Sequence, residues 1–189
     1  MTIKKNYTTT SVLYFCTITC CNWIPLIKIT NLYSHVYKWF DLLKEKNIDI
    51  VSYVIMPNHF HFILYLPENM KDVNKIIANG KRFLAYEIIK KLKDKGLTNI
   101  LFQLDNEVNK SDRKRGKLHQ VFERSFDIKA LTSEKFISQK IEYIHHNPVS
   151  KKWNLVEDYI KFQHSSAGFY ENDVEYKGYP VKHVSGEFD

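Results

Sequence analysis

The sequence predicts an α+β sandwich in which helices pack against an antiparallel sheet. Segments rich in β-branched and aromatic residues alternate with segments whose apolar residues recur at helical spacing. Two of the strand-like segments are separated only by Met56, Pro57 and Asn58, and so short a break favours antiparallel neighbours. The predicted order is strand, helix, strand, strand, helix, strand, helix. Its first six elements match a split βαβ arrangement, with helices on one sheet face and the other face free for a ligand.

Apolar patterning and local breakers set the boundaries of these elements. Strands are predicted at residues 12–22, 48–55, 59–66 and 121–131. Helices are predicted at residues 29–46, 72–92 and 132–146. Thr30 or Asn31 can cap the first helix, Thr132 or Ser133 can cap the third, and Pro148 stops the third. Residues 104–118 are polar and basic, which predicts an exposed loop.

Composition indicates a globular chain with a polyanionic partner. The 189 residues suit one domain, and 44% hydrophobic content is enough for a core. The net charge of +7 and the pI of about 9.1 favour nucleic acid as a partner, although many basic proteins bind none.

The cysteines and the N-terminal region do not indicate an exported or disulfide-bonded protein. Cys16, Cys20 and Cys21 are odd in number and clustered, so we expect small buried side chains and not a disulfide framework. Residues 6–27 carry no charge, but polar residues interrupt them and β-formers dominate. We therefore expect a strand here, no membrane segment, and a cytoplasmic location.

The segment Met56-Pro57-Asn58-His59-Phe60-His61 carries the strongest functional signal. Successive side chains of a strand point to opposite faces, so His59 and His61 share one face while Phe60 lies on the other. Two adjacent imidazoles backed by an apolar face form half of a divalent metal site.

The end of the third helix can supply the rest of that site. Tyr143 and Asn147 are four residues apart and therefore neighbours on one helix face. Imidazole nitrogens with an amide oxygen suit Mg²⁺ or Mn²⁺ if phosphate and water oxygens complete the shell. Such a metal stabilises charge in phosphoryl transfer, and a tyrosine hydroxyl beside it can be the nucleophile. A free tyrosine has a pKa near 10, so it needs activation, and the sequence names no general base.

Two motifs in this order resemble a known family. His59-Phe60-His61 is similar to the His-hydrophobic-His motif of the HUH nucleases. Met-Pro-Asn-His-Phe-His followed by Tyr-Ile-His-His-Asn-Pro-Val resembles the REP-associated tyrosine transposases, members of the single-tyrosine IS200/IS605-like superfamily. The resemblance covers residues 12–156, with weaker support at residues 165–168.

The resemblance implies a fold, an activity and a set of site residues. It implies a ferredoxin-like catalytic domain at residues 1–156, followed by a tail at residues 157–189 that packs on it. Such enzymes cut single-stranded DNA near hairpins and leave a 5′-phosphotyrosine link and a free 3′-hydroxyl. His59 and His61 would bind the metal, and Tyr143 would be the nucleophile. Asn147 would complete the metal site, where the IS200-like branch has glutamine. Many relatives are dimers, so we expect a homodimer, in which Tyr143 serves its own histidine pair or the partner's.

Basic and aromatic residues are candidates for DNA contacts. Trp23, Tyr65 or Phe122 could stack unpaired bases. Cations that could neutralise phosphates are Lys81, Arg82, Arg113, Lys114 and Arg115.

Three other functions are compatible with parts of the sequence. A hairpin-binding protein without cleavage activity would keep the basic surfaces. A replication-initiator-type HUH nuclease fits less well, because the motif order and the Asn-Pro-Val ending are typical of the transposases. An RNA-binding module of the same fold would need exposed sheet aromatics, and at the third strand this chain offers His59 and His61 instead.

Overall fold

The core of the chain is an antiparallel sheet. The structure is a computed structural model that describes residues 13–67 and 72–184, so Val12 of the first predicted strand lies outside the described residues. Within these ranges the sheet has four strands: β1 (Leu13–Thr19), β2 (Asp49–Ile55), β3 (His59–Tyr65) and β4 (Asp127–Ala130). Their spatial order is β2-β3-β1-β4, and every neighbouring pair is antiparallel. The predicted α+β class and split βαβ arrangement are confirmed.

Helices connect and cover these strands. The α-helices are α1 (Leu26–Thr30), α2 (Tyr33–Lys44), α3 (Val73–Asp94), α4 (Thr98–Asn106), α5 (Lys110–Lys114), α6 (Glu134–His145) and α7 (Ala167–Tyr170). Short 3₁₀ turns occur at Cys21–Trp23, Asn147–Val149 and Tyr159–Lys161. None of the helices in the described part of the chain is long and apolar enough to span a membrane.

Two predictions about the helices are wrong. The single helix expected at residues 29–46 is two helices, because Asn31 adopts a left-handed conformation with φ of 48° and ends α1. Neither predicted cap serves α2, whose N-cap is Leu32 without a side-chain hydrogen bond. Thr30 instead donates its hydroxyl to the Leu26 carbonyl at 2.6 Å.

The loop expected at residues 104–118 is about half helical. The end of α4 buries Leu104, and α5 begins at Asn109, whose Oδ1 accepts a hydrogen bond from the Asp112 amide at 2.6 Å. A buried apolar residue and a capping amide outweigh the polar composition that favoured a loop.

The two faces of the sheet carry different layers. Helices α2 and α3 cover one face, where Phe60 and Phe62 pack against Trp39. The opposite face was predicted to be free, but Ile144 of α6 packs there against Phe15 and Ile63. This layer leaves a pocket between the end of α6 and the strands. The three cysteines are buried and free, as predicted.

The tail follows the free edge of β2. The Ile55 amide donates to the His164 carbonyl at 2.8 Å, and the Ser166 amide donates to the Tyr53 carbonyl at 2.9 Å. The Tyr179 amide donates to the buried Tyr53 hydroxyl at 2.7 Å. The described tail therefore packs on the sheet, while its end near Asp189 lies outside the described residues and the boundary at residue 156 stays a prediction.

Candidate active site

A cavity of about 350 Å³ opens where α6 meets the strands β1 and β3. It brings together all four residues that the sequence predicted for the metal site and the nucleophile. Its lining consists of Thr17, Trp23, His59, His61, Tyr143, His146, Asn147, Ser150, Lys152 and Trp153.

The two strand histidines form the floor of this cavity. His59 and His61 are 3% and 5% exposed, and their ring centroids are 4.8 Å apart. Phe60 between them points to the opposite core, as the period of a strand requires. The predicted arrangement of two imidazoles on one face is confirmed.

Asn58 fixes the tautomer of His59. The Asn58 amide nitrogen donates to the Trp23 carbonyl at 2.8 Å, so its Oδ1 is directed at His59 Nδ1, also at 2.8 Å. An amide oxygen only accepts hydrogen bonds, so His59 Nδ1 carries the proton. The lone pair therefore lies on His59 Nε2, where it is available to a metal.

Thr17 and Phe15 of β1 orient His61. The Thr17 hydroxyl lies 2.8 Å from His61 Nδ1, and the Phe15 ring stacks on the imidazole at 5.5 Å between centroids. With Nδ1 occupied by Thr17, His61 Nε2 is the nitrogen that faces Tyr143 and the cavity.

Burial keeps both rings neutral. Burial lowers the pKa of His59 to about 4. The Asn147 side chain raises this pKa by a smaller amount, and the Lys152 charge lowers it further. Burial lowers the pKa of His61 to about 3, with smaller contributions from His59 and Lys140. Neutral imidazole is the form that binds metals, so at neutral pH neither ring has to lose a proton first.

Tyr143 presents its hydroxyl to this floor from α6. The side chain is 48% exposed, and its hydroxyl lies 3.4 Å from His61 Nε2. The ring packs edge-on to Phe15, with 6.0 Å between centroids. Lys140, one turn earlier, holds its ammonium 5.2 Å from the Tyr143 ring centroid and 4.6 Å from that of Phe15. The Tyr143 phenol therefore lines the cavity with a cation packed against its ring.

Asn147 contributes an unsatisfied acceptor. The 3₁₀ turn after α6 buries its side chain to 7% exposure. Among residues 13–67 and 72–184, Asn147 Oδ1 is the buried side-chain oxygen without a hydrogen-bond partner. The same side chain raises the pKa of His59 and so lies beside that ring, and a cavity ligand shared with His59 would give the oxygen a partner.

This donor set fits a hard divalent cation only with outside ligands. The described ranges contain no cluster of three or more His, Cys, Asp or Glu side chains that could hold a metal alone. Two imidazole nitrogens and one amide oxygen would leave several positions of a Mg²⁺ or Mn²⁺ shell for water and phosphate oxygens. His59, His61 and Asn147 are the residues that could hold such an ion.

The five predicted phosphate-binding cations do not line the cavity in the described structure. Lys81 donates to the Glu123 carbonyl at 2.5 Å, and burial lowers its pKa to about 8. Arg113 pairs with Asp105 and Arg115 with Asp112, while Arg82 and Lys114 are exposed. Their DNA contacts stay a prediction, and Lys81 has a structural contact of its own.

Two cations at or beside the cavity were not among the predicted residues. Lys140, which packs on the Tyr143 ring, could have been found, since it lies three residues before Tyr143 on the same helix. Lys152 and Trp153 reach the cavity through the turns after Asn147, which no periodic pattern announces. Among the three candidate stacking aromatics, Trp23 is exposed, whereas Tyr65 and Phe122 are buried.

His145, the last residue of α6, and His146, which caps the helix, differ in environment. His145 is buried, and its Nε2 lies 2.9 Å from Ser166 Oγ and 3.2 Å from Ser52 Oγ. It ties α6 to β2 and to the tail. His146 lines the cavity, with its ring 4.1 Å from that of Tyr159.

Comparisons with known proteins concern the fold. No family model and no curated protein matches the sequence. The structure is similar to that of a REP-associated tyrosine transposase bound to a REP hairpin, with a TM-score of 0.61 and 17% identity, covering 100% of this chain and 94% of that chain. A protein from Deinococcus radiodurans R1 named "putative transposase" is 14% identical over 76% of this chain and 95% of its own, but its TM-score of 0.41 is too low to add to the comparison. The chain thus has the fold of a REP-associated tyrosine transposase, as the sequence resemblance implies.

Proposed function

We propose that the protein is a metal-dependent transposase or nickase that cleaves and rejoins single-stranded DNA near hairpins through a 5′-phosphotyrosine intermediate. One observation carries the proposal: the Tyr143 hydroxyl lies 3.4 Å from His61 Nε2, in the same cavity as His59 and the unpaired Asn147 oxygen. A nucleophile, two neutral nitrogen ligands and an oxygen ligand converge on a volume that can hold a phosphodiester.

The chemistry follows from the position of the phenol. Tyr143 Oη attacks phosphorus, an O–P bond forms, and the bond from phosphorus to the 3′ oxygen breaks. The phenol gives up its proton, the departing 3′ oxygen gains one, and the 5′ phosphate stays on Tyr143. Attack by a 3′-hydroxyl on the phosphotyrosine link reverses these reaction steps and rejoins the DNA. Each step exchanges one phosphate ester for another, so no further energy source is required.

His59, His61 and Asn147 would hold the metal. When bound, Mg²⁺ or Mn²⁺ supplies a Lewis acid that stabilises charge developing on the phosphate oxygens. Because His61 Nε2 has one lone pair, it cannot both bind a metal and take the phenol proton. His61 is therefore not the general base in this proposal. The Lys140 ammonium, 5.2 Å from the Tyr143 ring centroid, would attract the incoming phosphate.

The substrate and the assembly are part of the same proposal. The net charge of +7 suits a nucleic acid, and the REP hairpin held by the transposase of the same fold suggests that this chain also binds a DNA hairpin. We further propose a cytoplasmic homodimer. An RNA-binding module is disfavoured, because all seven residues of β3 are buried and offer no exposed stacking surface.

The test compares cleavage with binding of a labelled single-stranded hairpin DNA. His59→Ala and His61→Ala should abolish Mn²⁺-dependent cleavage and retain most of the binding, whereas His35→Ala, on α2, should leave both unchanged. Addition of EDTA should stop cleavage by the wild type. Binding lost together with cleavage in both histidine variants would mean that these residues shape the DNA site structurally. Binding without cleavage by the wild type, across a library of hairpins, would favour the binding-only function.

A further inference from the structure

Trp23 stands at the rim of the cavity in an unusual backbone conformation. Its side chain is 49% exposed, and its φ is +57°, directly after Asn22 with a φ of 51°. Left-handed backbone is disfavoured for residues with a Cβ and is an outlier for a bulky one. Such strain persists where the surroundings impose it, and it concentrates at functional sites.

Three hydrogen bonds impose this conformation. The Asn58 amide nitrogen donates to the Trp23 carbonyl at 2.8 Å, and the Trp23 amide donates to the Cys20 carbonyl at 3.0 Å. The Asn22 amide donates to the Glu123 carboxylate at 2.8 Å. These contacts fix the backbone and leave the indole half exposed, so core packing does not explain why it is held there.

A second indole and a cation face Trp23. The centroids of the Trp23 and Trp153 rings are 6.4 Å apart, and their planes are inclined by 29°. The Lys152 ammonium lies 4.1 Å from the Trp23 centroid and 5.1 Å from that of Trp153. Both indoles contact His59, with centroid distances of 5.5 and 5.3 Å. The cluster of Trp23, Lys152 and Trp153 is therefore continuous with the candidate metal site.

We propose that this cluster binds an unpaired nucleobase of the nucleotide that adjoins the reacting phosphate. Sites for single-stranded nucleic acid combine aromatic faces, on which bases stack, with cations that pair with the backbone. Trp23 supplies the exposed face, Trp153 supports it, and Lys152 pairs with the phosphate of the same nucleotide. An ammonium group beside two indoles favours a ligand that has both an aromatic ring and an anionic group. A nucleotide has both, in its base and its phosphate.

This inference rests on the proposed function for the identity of the strand, but it is tested by binding alone. The probes are fluorescein-labelled (dT)₁₂ and an abasic 12-mer with the same sugar-phosphate backbone, measured by anisotropy in EDTA so that no cleavage occurs. The wild type should bind (dT)₁₂ more tightly than the abasic strand. Loss of one stacked base should weaken binding about 5- to 150-fold. Trp23→Ala should therefore lose that factor for (dT)₁₂ alone, and Trp23→Phe should restore part of it.

Matched variants separate stacking from charge and from folding. Lys152→Gln should weaken the binding of both probes and lower the salt dependence of the affinity by an amount that corresponds to about one phosphate contact. Tyr86→Ala removes an aromatic ring that is 71% exposed on α3, away from the cavity, and should change neither affinity. Circular dichroism and thermal melting of each variant report whether it is folded.

Two results would overturn the inference. Equal affinity of the wild type for the two probes would show that no base is bound. An equal loss for both probes in folded Trp23→Ala would make Trp23 a structural part of the cavity wall. Failure of this inference can be distinguished from failure of the proposed function. A protein that prefers (dT)₁₂ to the abasic strand but never cleaves DNA would support the base-binding site and contradict the cleavage activity.

Discussion

Removal of the Asn58 side chain should weaken metal binding without touching a metal ligand. Asn58 links the Trp23 carbonyl to His59 Nδ1 through two 2.8 Å hydrogen bonds and is 5% exposed. In Asn58→Ala, His59 loses the acceptor that holds its proton on Nδ1, so the proton can move to Nε2 and block the lone pair. Loss of such an outer partner typically lowers metal affinity about 10- to 100-fold, or about 1.4–2.7 kcal/mol.

The assay is a Mn²⁺ titration followed by electron paramagnetic resonance of free Mn²⁺. All proteins carry Tyr143→Phe, so that a DNA strand can be present and supply phosphate oxygens without being cut. Asn58→Asp keeps an acceptor for His59 and should retain most of the affinity that Asn58→Ala loses. Asn79→Ala, on α3, changes an asparagine outside the cavity and should have no effect. The variant should also lose roughly 1–3 kcal/mol of folding free energy from the unpaired groups it leaves, so folding is checked first.

A folded Asn58→Ala protein with the wild-type Mn²⁺ dissociation constant would refute this reasoning. Equal losses in Asn58→Ala and Asn58→Asp would also contradict it, since the cause would then be the cavity shape and not the tautomer of His59.

Three further predictions concern stability and rate. Burial lowers the pKa of His145 to about 4 while an unfolded histidine titrates near 6.5, so the unfolded chain protonates first as the pH falls. Neutral His145 therefore contributes to the free energy of unfolding above about pH 6.5, and this contribution, on the order of 3 kcal/mol, is lost toward pH 4. Urea unfolding at about pH 7.5 and 4.5 should show the loss, and His145→Gln should show less of it. Gly80→Ala would place a Cβ 2.4 Å from the Trp39 ring. The overpacking should destabilise the fold by about 1–3 kcal/mol, which exceeds the gain of about 1 kcal/mol in helix propensity. A melting temperature as high as that of the wild type would contradict the packing of Gly80 against Trp39. Lys140→Met should slow single-turnover cleavage about tenfold because it removes a cation 5.2 Å from the Tyr143 ring centroid, whereas Lys140→Arg should retain most of the rate. Equal rates for the wild type and both variants would exclude an electrostatic role of Lys140.

Much of the fold and the centre of the site could be predicted because they depend on local periodicity. The two-residue period of a strand places His59 and His61 on one face. The four-residue spacing brings Tyr143 and Asn147 to the same cavity, although Asn147 lies in the 3₁₀ turn after α6 and not on the helix face that was predicted. The sheet order follows from short connections and from helices that lie between the strands. These rules act over a few residues, so the sequence contains them directly.

The rim of the site could not be predicted because it depends on contacts between distant segments. Trp23 and Trp153 meet although 130 residues separate their positions in the sequence, and the left-handed backbone at Trp23 has no signal in its residue type. The burial of Lys81 against Glu123 likewise needs a contact across 42 residues. A patch of basic residues in the sequence therefore does not show which cations face solvent.

The assignment of Tyr143 as the nucleophile is tested most directly by mass spectrometry of the protein after reaction with a single-stranded hairpin DNA in Mn²⁺ and digestion by nuclease and protease. We expect a nucleotide phosphate on the peptide that contains Tyr143, absent in EDTA and absent from Tyr143→Phe, while Tyr86→Phe reacts like the wild type. A covalent nucleotide on another residue, or an adduct that persists in Tyr143→Phe, would contradict the assignment of Tyr143 as the nucleophile.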